Sequence, residues 1–260
     1  MSMPKTVVIT GASQGIGRVI AQCFARQTEC HLVLLARNAQ RLSETVDLCQ
    51  AESSLSYPET QSKHTFQDSD PHLATKRRIL AIPIDLTDPK AVNSLSLPPE
   101  IPSPSMLVLN AGHFLYKSLA QTTPADFSTQ LDQNLFSAVH VVSRFLPDMK
   151  KSEEGLIAAI DSVGALKGLP DSGAYSASKH ALLGYVRSLR QELLSSGIGV
   201  TAVHLGQTFS PSWDGSQVNP MDLIDPFDVG QFIVSLTRLS SRSLVEEVTL
   251  VPRKGEVPPM

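Results

Sequence analysis

Short runs that are apolar at almost every position alternate with longer stretches in which apolar residues recur every three or four positions. The runs fall at residues 6–10, 31–36, 79–84, 106–109, 156–160, 199–205 and 248–251, which predicts seven strands. Strands apolar on both faces are covered on both faces, and helical stretches between them are suited to crossover connections between parallel neighbours. The pattern therefore predicts an α/β fold with a doubly wound seven-stranded parallel sheet, helices on both faces, in a single domain spanning 1–260. Helical periodicity marks 16–26, 40–49, 124–149 and 174–194. The third of these is the longest, with Thr123 as its expected cap and Pro124 at its first position.

Two stretches break the alternation. Residues 52–78 are rich in Ser and Thr and poor in large apolar groups, as in an exposed insertion, with the basic run Lys76-Arg77-Arg78 as a solvated loop edge. The proline-rich segment 97–104 predicts a stiff, extended lead into the fourth strand.

Composition narrows the class without naming it. Among 260 residues, 42% are hydrophobic and 18% charged, and 22 basic against 25 acidic side chains give a net charge of −3. This is an ordinary globular balance, slightly acidic, and it argues against a nucleic-acid or anionic-membrane partner. No apolar run is long enough to span a bilayer, and MSMPK leads into no signal-peptide region, so a cytoplasmic location is expected. Three cysteines, Cys23, Cys30 and Cys49, without a CxxC or paired histidines, suggest buried thiols, with neither a disulfide framework nor a metal site.

Thr10-Gly11-Ala12-Ser13-Gln14-Gly15-Ile16-Gly17 follows a strand and opens a helix. There glycines permit a tight turn, and the free N–H groups of the helix start attract a pyrophosphate. Gly11 to Gly15 also matches the GxSxG nucleophile elbow of serine hydrolases. That fold needs upstream strands and an oxyanion loop, whereas only ten residues precede Gly11. At the end of the second strand, the place for an acid binding a ribose 2′-hydroxyl holds Ala36, followed by Arg37. Absence of the carboxylate and presence of a guanidinium favour NADP over NAD.

Tyr175-Ser-Ala-Ser-Lys179 places a phenol and an ammonium one helical turn apart, at the head of the apolar stripe Leu182, Val186, Leu189, Leu193. A phenol relays protons poorly at neutral pH unless a neighbouring cation stabilises its anion, and Lys179 is that cation.

Over essentially its whole length the sequence resembles the short-chain dehydrogenase/reductases. Thr10 to Gly17 matches TGxxxGIG, Asn110-Ala111-Gly112 the Asn-Ala-Gly motif after the fourth strand, and Tyr175 with Lys179 the Tyr-xxx-Lys pair. The resemblance extends to Ser162, 13 residues before the tyrosine, and to Asn134 in Asp132-Gln-Asn-Leu-Phe136. It implies a catalytic set of Asn134, Ser162, Tyr175 and Lys179, and an NADP(H)-dependent conversion between a carbonyl and a secondary alcohol. In the reductive direction Tyr175 protonates the carbonyl oxygen and Ser162 donates a hydrogen bond to it. The resemblance further implies that Lys179 holds the nicotinamide ribose and that Asn134 anchors a water chain returning protons to solvent.

The same kinship implies cofactor contacts from Gly11, Ser13, Gln14, Gly15, Ile16, Gly17, Arg37, Asp85, Leu86, Asn110, Ala111, Gly112, Tyr175, Lys179 and Gly206, and assembly as a homodimer or homotetramer. Asp85 has an alternative reading as a helix cap, and Asn110 as a staple between strands. Reduction of 3-oxoacyl groups on acyl carrier protein is a second enzymatic reading, and a non-catalytic NADP-binding sensor a third. Substrate choice is assigned to an apolar lid at 207–225 carrying Trp213, Val218, Met221, Leu223 and Ile224.

Departures from the family pattern stand out. Leu205 precedes Gly206 where many relatives have proline, and Asp161 precedes Ser162 where they often have Ser or Gly. The Asp161 carboxylate would tune Ser162 or accept backbone hydrogen bonds. His113 is a candidate for the substrate pocket, whereas His204 has no assigned role.

Overall fold

The computed structural model describes residues 5–54 and 77–257. Seven strands form one parallel sheet: β1 (Thr6–Thr10), β2 (His31–Ala36), β3 (Ile79–Pro83), β4 (Met106–Leu109), β5 (Gly155–Ser162), β6 (Ile198–Leu205) and β7 (Glu247–Leu250). Their spatial order is β3-β2-β1-β4-β5-β6-β7, so the direction of winding reverses between β1 and β4. At such a switch point the loops leaving the carboxyl ends of the strands diverge and open a crevice.

The helices are α1 (Gly15–Gln27), α2 (Ala39–Ser54), α3 (Pro89–Asn93), α4 (Pro124–Leu131), α5 (Ser137–Ser152), α6 (Gly173–Leu193) and α7 (Pro226–Leu236). Alternation along the strands divides the apolar side chains between two layers. Val7 and Ile9 join Ile20, Phe24, Leu42 and Ile233 under α1, α2 and α7. Val8 points the other way, into the layer formed by Phe145, Met149, Leu182 and Val186 from α5 and α6. Two buried faces explain why these strands are apolar throughout.

Three expectations change. Residues 124–149 are not one helix: α4 and α5 are separated by a π-helical turn, Asp132–Phe136. The start is as expected, since Thr123 and Asp126 form a reciprocal capping box with Pro124 behind the cap. The predicted insertion is also narrower at its edges, because residues 52–54 belong to α2. Arg77 is no solvated edge; its guanidinium donates to the Ala25 carbonyl at 2.7 Å and to that of Thr28, closing the end of α1. Arg78 pairs with Glu100 at 2.6 Å, and residues 55–76, Lys76 among them, lie outside the described residues.

Leu223 and Ile224 belong to the protein interior and not to a lid. Ile224 forms a parallel bridge with Thr208, which closes the base of the 207–225 loop and draws both apolar side chains down. Met221, by contrast, is 83% exposed. All three cysteines are free and buried. Burial pushes the Cys23 and Cys49 thiols up to about 12 and Cys30 to about 11. Among the described residues no helix is long and apolar enough to cross a membrane.

Candidate active site

The glycine-rich turn sits at the carboxyl end of β1. Gly11 and Gly15 have φ of +65° and +55°, which L side chains rarely adopt. Gly17 is required for a different reason: a Cβ there would collide with Asn110 Nδ2 and the Gly11 carbonyl. Asn110 is the staple that makes this packing tight. Its Nδ2 donates to the Thr10 carbonyl at 2.9 Å, while the N–H groups of Asn110 and Ala111 donate to Thr10 Oγ1 at 2.9 and 2.8 Å. The loops after β1 and β4 are thereby locked together across the switch point.

The helix start facing this turn carries no side-chain cap from Gln14. Its first N–H groups and the positive end of its dipole are left for an anion. Ser13 and Ile16 flank the turn, and Pro211 from the 207–225 loop lies against Gly15. That loop begins at Gly206, whose N–H donates to Leu250 O at 2.8 Å.

At the end of β2, Ala36 is buried and Arg37 is exposed. The sequence motifs do not single out Arg41, in the first turn of α2, whose guanidinium donates to Gln14 Oε1. The available signal was a second basic residue so soon after the end of β2, at the start of the helix that follows. Arg18 also approaches, donating to Ser13 O at 2.6 Å, but Glu44 at 3.1 Å offsets its charge. Asp85 does not cap α3; Asp88 does, accepting from Lys90 N and Ala91 N. The Asp85 carboxyl is held below its ordinary range by the Thr87 N–H and hydroxyl, at 3.0 and 2.8 Å, while the buried Leu86 follows it.

The second half of the site lies over β4, β5 and α6. Asn134, in the middle of the π-helical turn, is 1% exposed. Its Oδ1 accepts from His113 N–H at 2.7 Å, and its Nδ2 faces His113 O, Gln130 Oε1 and Ser178 Oγ at 3.1, 3.2 and 2.9 Å. Ser178 Oγ in turn donates to the Tyr175 carbonyl at 2.7 Å. The widened turn thus ties the irregular segment that follows Gly112 to the first turn of α6. A Cβ on Gly112 would approach Asn134 Oδ1 to 2.7 Å, which explains the glycine. The His113 ring meets Gln130 Nε2 at 3.2 Å and is held below its ordinary pKa, first by desolvation and then by Arg37.

Ser162 ends β5, and its Oγ accepts from Gly164 N–H at 3.0 Å, leaving its own proton to give. A Cβ built on Gly164 would stand 3.3 Å from both Ser162 Oγ and Tyr175 Cε1, so the serine and the phenol ring flank this glycine. Phe114 packs edge-on against Tyr175 with ring centroids 4.9 Å apart. Lys179 Nζ lies 6.0 Å from the Tyr175 ring centroid and donates to Ile160 O at 3.1 Å. All four residues of the expected catalytic set therefore converge at the carboxyl ends of β4 and β5.

Asp161 departs from both readings the sequence allowed. Among the described residues its oxygens accept no hydrogen bond from backbone or from Ser162; they lie 3.8 Å from Lys179 Nζ and 3.4 Å from His204 Nδ1.

Fold and site define a doubly wound, Rossmann-type α/β protein with its candidate reacting groups at the switch point and beside it. The model of the short chain dehydrogenase family matches residues 5–63 and 61–217, and the chain belongs to that family of oxidoreductases. It is 28% identical to sepiapterin reductase of Chlorobaculum tepidum over 265 residues, 98% of this chain and 99% of the relative. A Drosophila melanogaster protein named dehydrogenase/reductase SDR family protein 7-like is 32% identical over 78% of this chain and 56% of its own length. Among solved structures, an alcohol dehydrogenase of Thermococcus sibiricus complexed with 5-hydroxy-NADP has a TM-score of 0.78 at 21% identity, covering 98% of this chain and 99% of that one. L-sorbose reductase of Gluconobacter frateurii, complexed with NADPH and L-sorbose, has a TM-score of 0.77 at 21% identity over 97% and 96%.

Proposed function

We propose that this protein interconverts a carbonyl and a secondary alcohol by hydride transfer with NADP(H). The observation that carries the reading is the convergence of Ser162 and Tyr175 on Gly164, with Lys179 behind the phenol. The glycine turn fits a dinucleotide: Gly11 and Gly15 take the positive φ of a tight turn, and the start of α1 has no side-chain cap competing for its N–H groups. The bound nicotinamide supplies or accepts the hydride.

This chain's own residues handle the proton and the geometry. Ser162 donates to the carbonyl oxygen, Tyr175 transfers its proton to that oxygen as negative charge develops, and the Lys179 ammonium stabilises the resulting phenolate. In oxidation Tyr175 takes the proton back. Asn134 holds the His113 backbone and, through Ser178, the turn that presents Tyr175.

Preference for the phosphorylated dinucleotide follows from the end of β2. A carboxylate would repel a 2′-phosphate; Ala36 removes it, while the exposed Arg37 at the strand end and Arg41, bonded to Gln14 of the glycine turn, offer two guanidiniums. The NADP and NADPH complexes of the structural neighbours support the same choice.

The test is consumption of NADPH, followed by its absorbance, with a panel of ketones, α-dicarbonyls and acyl thioesters. Turnover of at least one ketone or dicarbonyl, faster with NADPH than with NADH, is the expected result. Tight NADPH binding with no turnover across the panel would contradict the reading.

A further inference from the structure

Behind Lys179 the site continues into buried charge that hydride transfer does not use. Asp161 and His204 are direct neighbours across β5 and β6, and each side chain is 1% exposed. Asp161 Oδ1 faces Lys179 Nζ at 3.8 Å, and its Oδ2 faces His204 Nδ1 at 3.4 Å. On the far side of the ring, Nε2 lies 3.4 Å from Glu247 Oε2. Glu247 is gripped by Arg187 through two bonds of 2.7 and 2.9 Å, with Arg190 at 3.5 Å; Glu246 faces Arg190 at 3.9 Å. A line of charge therefore runs from the ammonium beside Tyr175 to partly exposed groups on α6 and β7.

The weak link in this line is Asp161. Neither of its oxygens accepts a hydrogen bond from the described residues, and a buried carboxylate without hydrogen bonds is stable only beside compensating positive charge. Lys179 and His204 are the two groups placed to provide it, from opposite oxygens.

We propose that Asp161 is a positioning residue that divides its carboxylate between Lys179 and His204, so that protonation of His204 governs how firmly the ammonium is held behind Tyr175. The proposal rests on the hydride-transfer reading of the same site. When the ring is neutral, the Asp161 charge belongs to Lys179. When the ring is an imidazolium, it donates to Asp161 and Glu247 together and competes with the ammonium. Burial opposes the charged ring, yet the flanking carboxylates Asp161 and Glu247 outweigh it and raise the His204 pKa above 6.5. Rising pH therefore releases Asp161 to Lys179.

The experiment is a pH titration of the His204 ring by NMR in the protein without cofactor. The signal is assigned among the seven histidines by its loss in His204→Gln. Replacing Lys179 by Met removes the competitor for Asp161 and is expected to raise the His204 pKa by about half a unit or more, whereas Asp161→Asn lowers it by about one unit. A His204 titration indifferent to Lys179→Met overturns the proposal, even if Asp161→Asn fails to fold. In turnover, the acid limb of the kcat profile is expected to follow His204 and to flatten in His204→Gln with KM changed less than about twofold. A limb unchanged in that variant overturns the proposal too. Failure of every carbonyl probe to react would strike the hydride-transfer reading alone, since the ring titration does not depend on turnover.

Discussion

The two halves of the site are built by opposite means. Around β1 and β2 the geometry comes from missing side chains: Gly11 and Gly15 occupy positive φ, Gly17 clears Asn110, and Gln14 leaves the start of α1 uncapped. Around β4, β5 and α6 it comes from side chains that are buried and engaged: Asn134 on the His113 backbone, Ser178 on the Tyr175 carbonyl, Lys179 on Ile160. A cradle of backbone groups suits a large anion bound similarly throughout a reaction. Fixed polar side chains suit charge that appears only during it, because their orientation is set before the substrate arrives.

The sharpest way to separate the halves is Tyr175→Phe. Removing the proposed proton donor should lower kcat by about 10²–10⁴-fold and leave NADPH affinity within about threefold. Parallel losses of affinity and turnover would show the halves to be one unit. Gly17→Ala should do the reverse. Its methyl must displace Asn110 or the Gly11 carbonyl, so NADPH affinity should drop by about tenfold or more, and stability by about 1–3 kcal/mol, measured by calorimetry and denaturant unfolding. Smaller still is Arg37→Ala. It should weaken NADPH by about tenfold and NADH scarcely at all, since only the former carries the phosphate.

The smallest effect concerns pH and stability. Arg187 is the main cause of the Glu247 pKa falling from 4.5 to about 2. A folded-state value below the unfolded one means that its contribution is present above about pH 4.5 and is lost as pH falls through about 2. His204 has the opposite sign: its pKa is raised, so its contribution is full below 6.5 and fades as pH rises through the folded value. Comparing the pH dependence of Tm with that of Glu247→Gln and His204→Gln should show the acidic step vanish in the first and the neutral step in the second.

The same contrast explains what could be read along the chain. Strands covered on both faces announce themselves as apolar runs, and all seven occur where those runs lie. Glycine turns are local, so Gly11 to Gly17 could be placed from sequence. The π-helical turn at Asn134 could not, because apolar periodicity continues through Leu131, Leu135 and Ala138 while the extra residue is accommodated by bonds to His113, some twenty residues away. Leu223 and Ile224 look like lid residues by composition, yet the bridge to Thr208 sends them inward. Asp161 is the clearest case. Its neighbour in sequence suggests a role for Ser162, whereas its partners come from α6 and from the adjacent strand, which only the folded sheet brings together.

The central claim is that hydride passes between a nicotinamide and a carbonyl carbon at Ser162 and Tyr175. NADPH carrying deuterium at its transferable position, incubated with the protein and a reactive ketone, tests it most directly. The account predicts an alcohol with deuterium on the carbinol carbon, and at least about a hundredfold less of it when Tyr175→Phe is assayed for the same time. Bound NADPH that passes no deuterium to any carbonyl probe would contradict it.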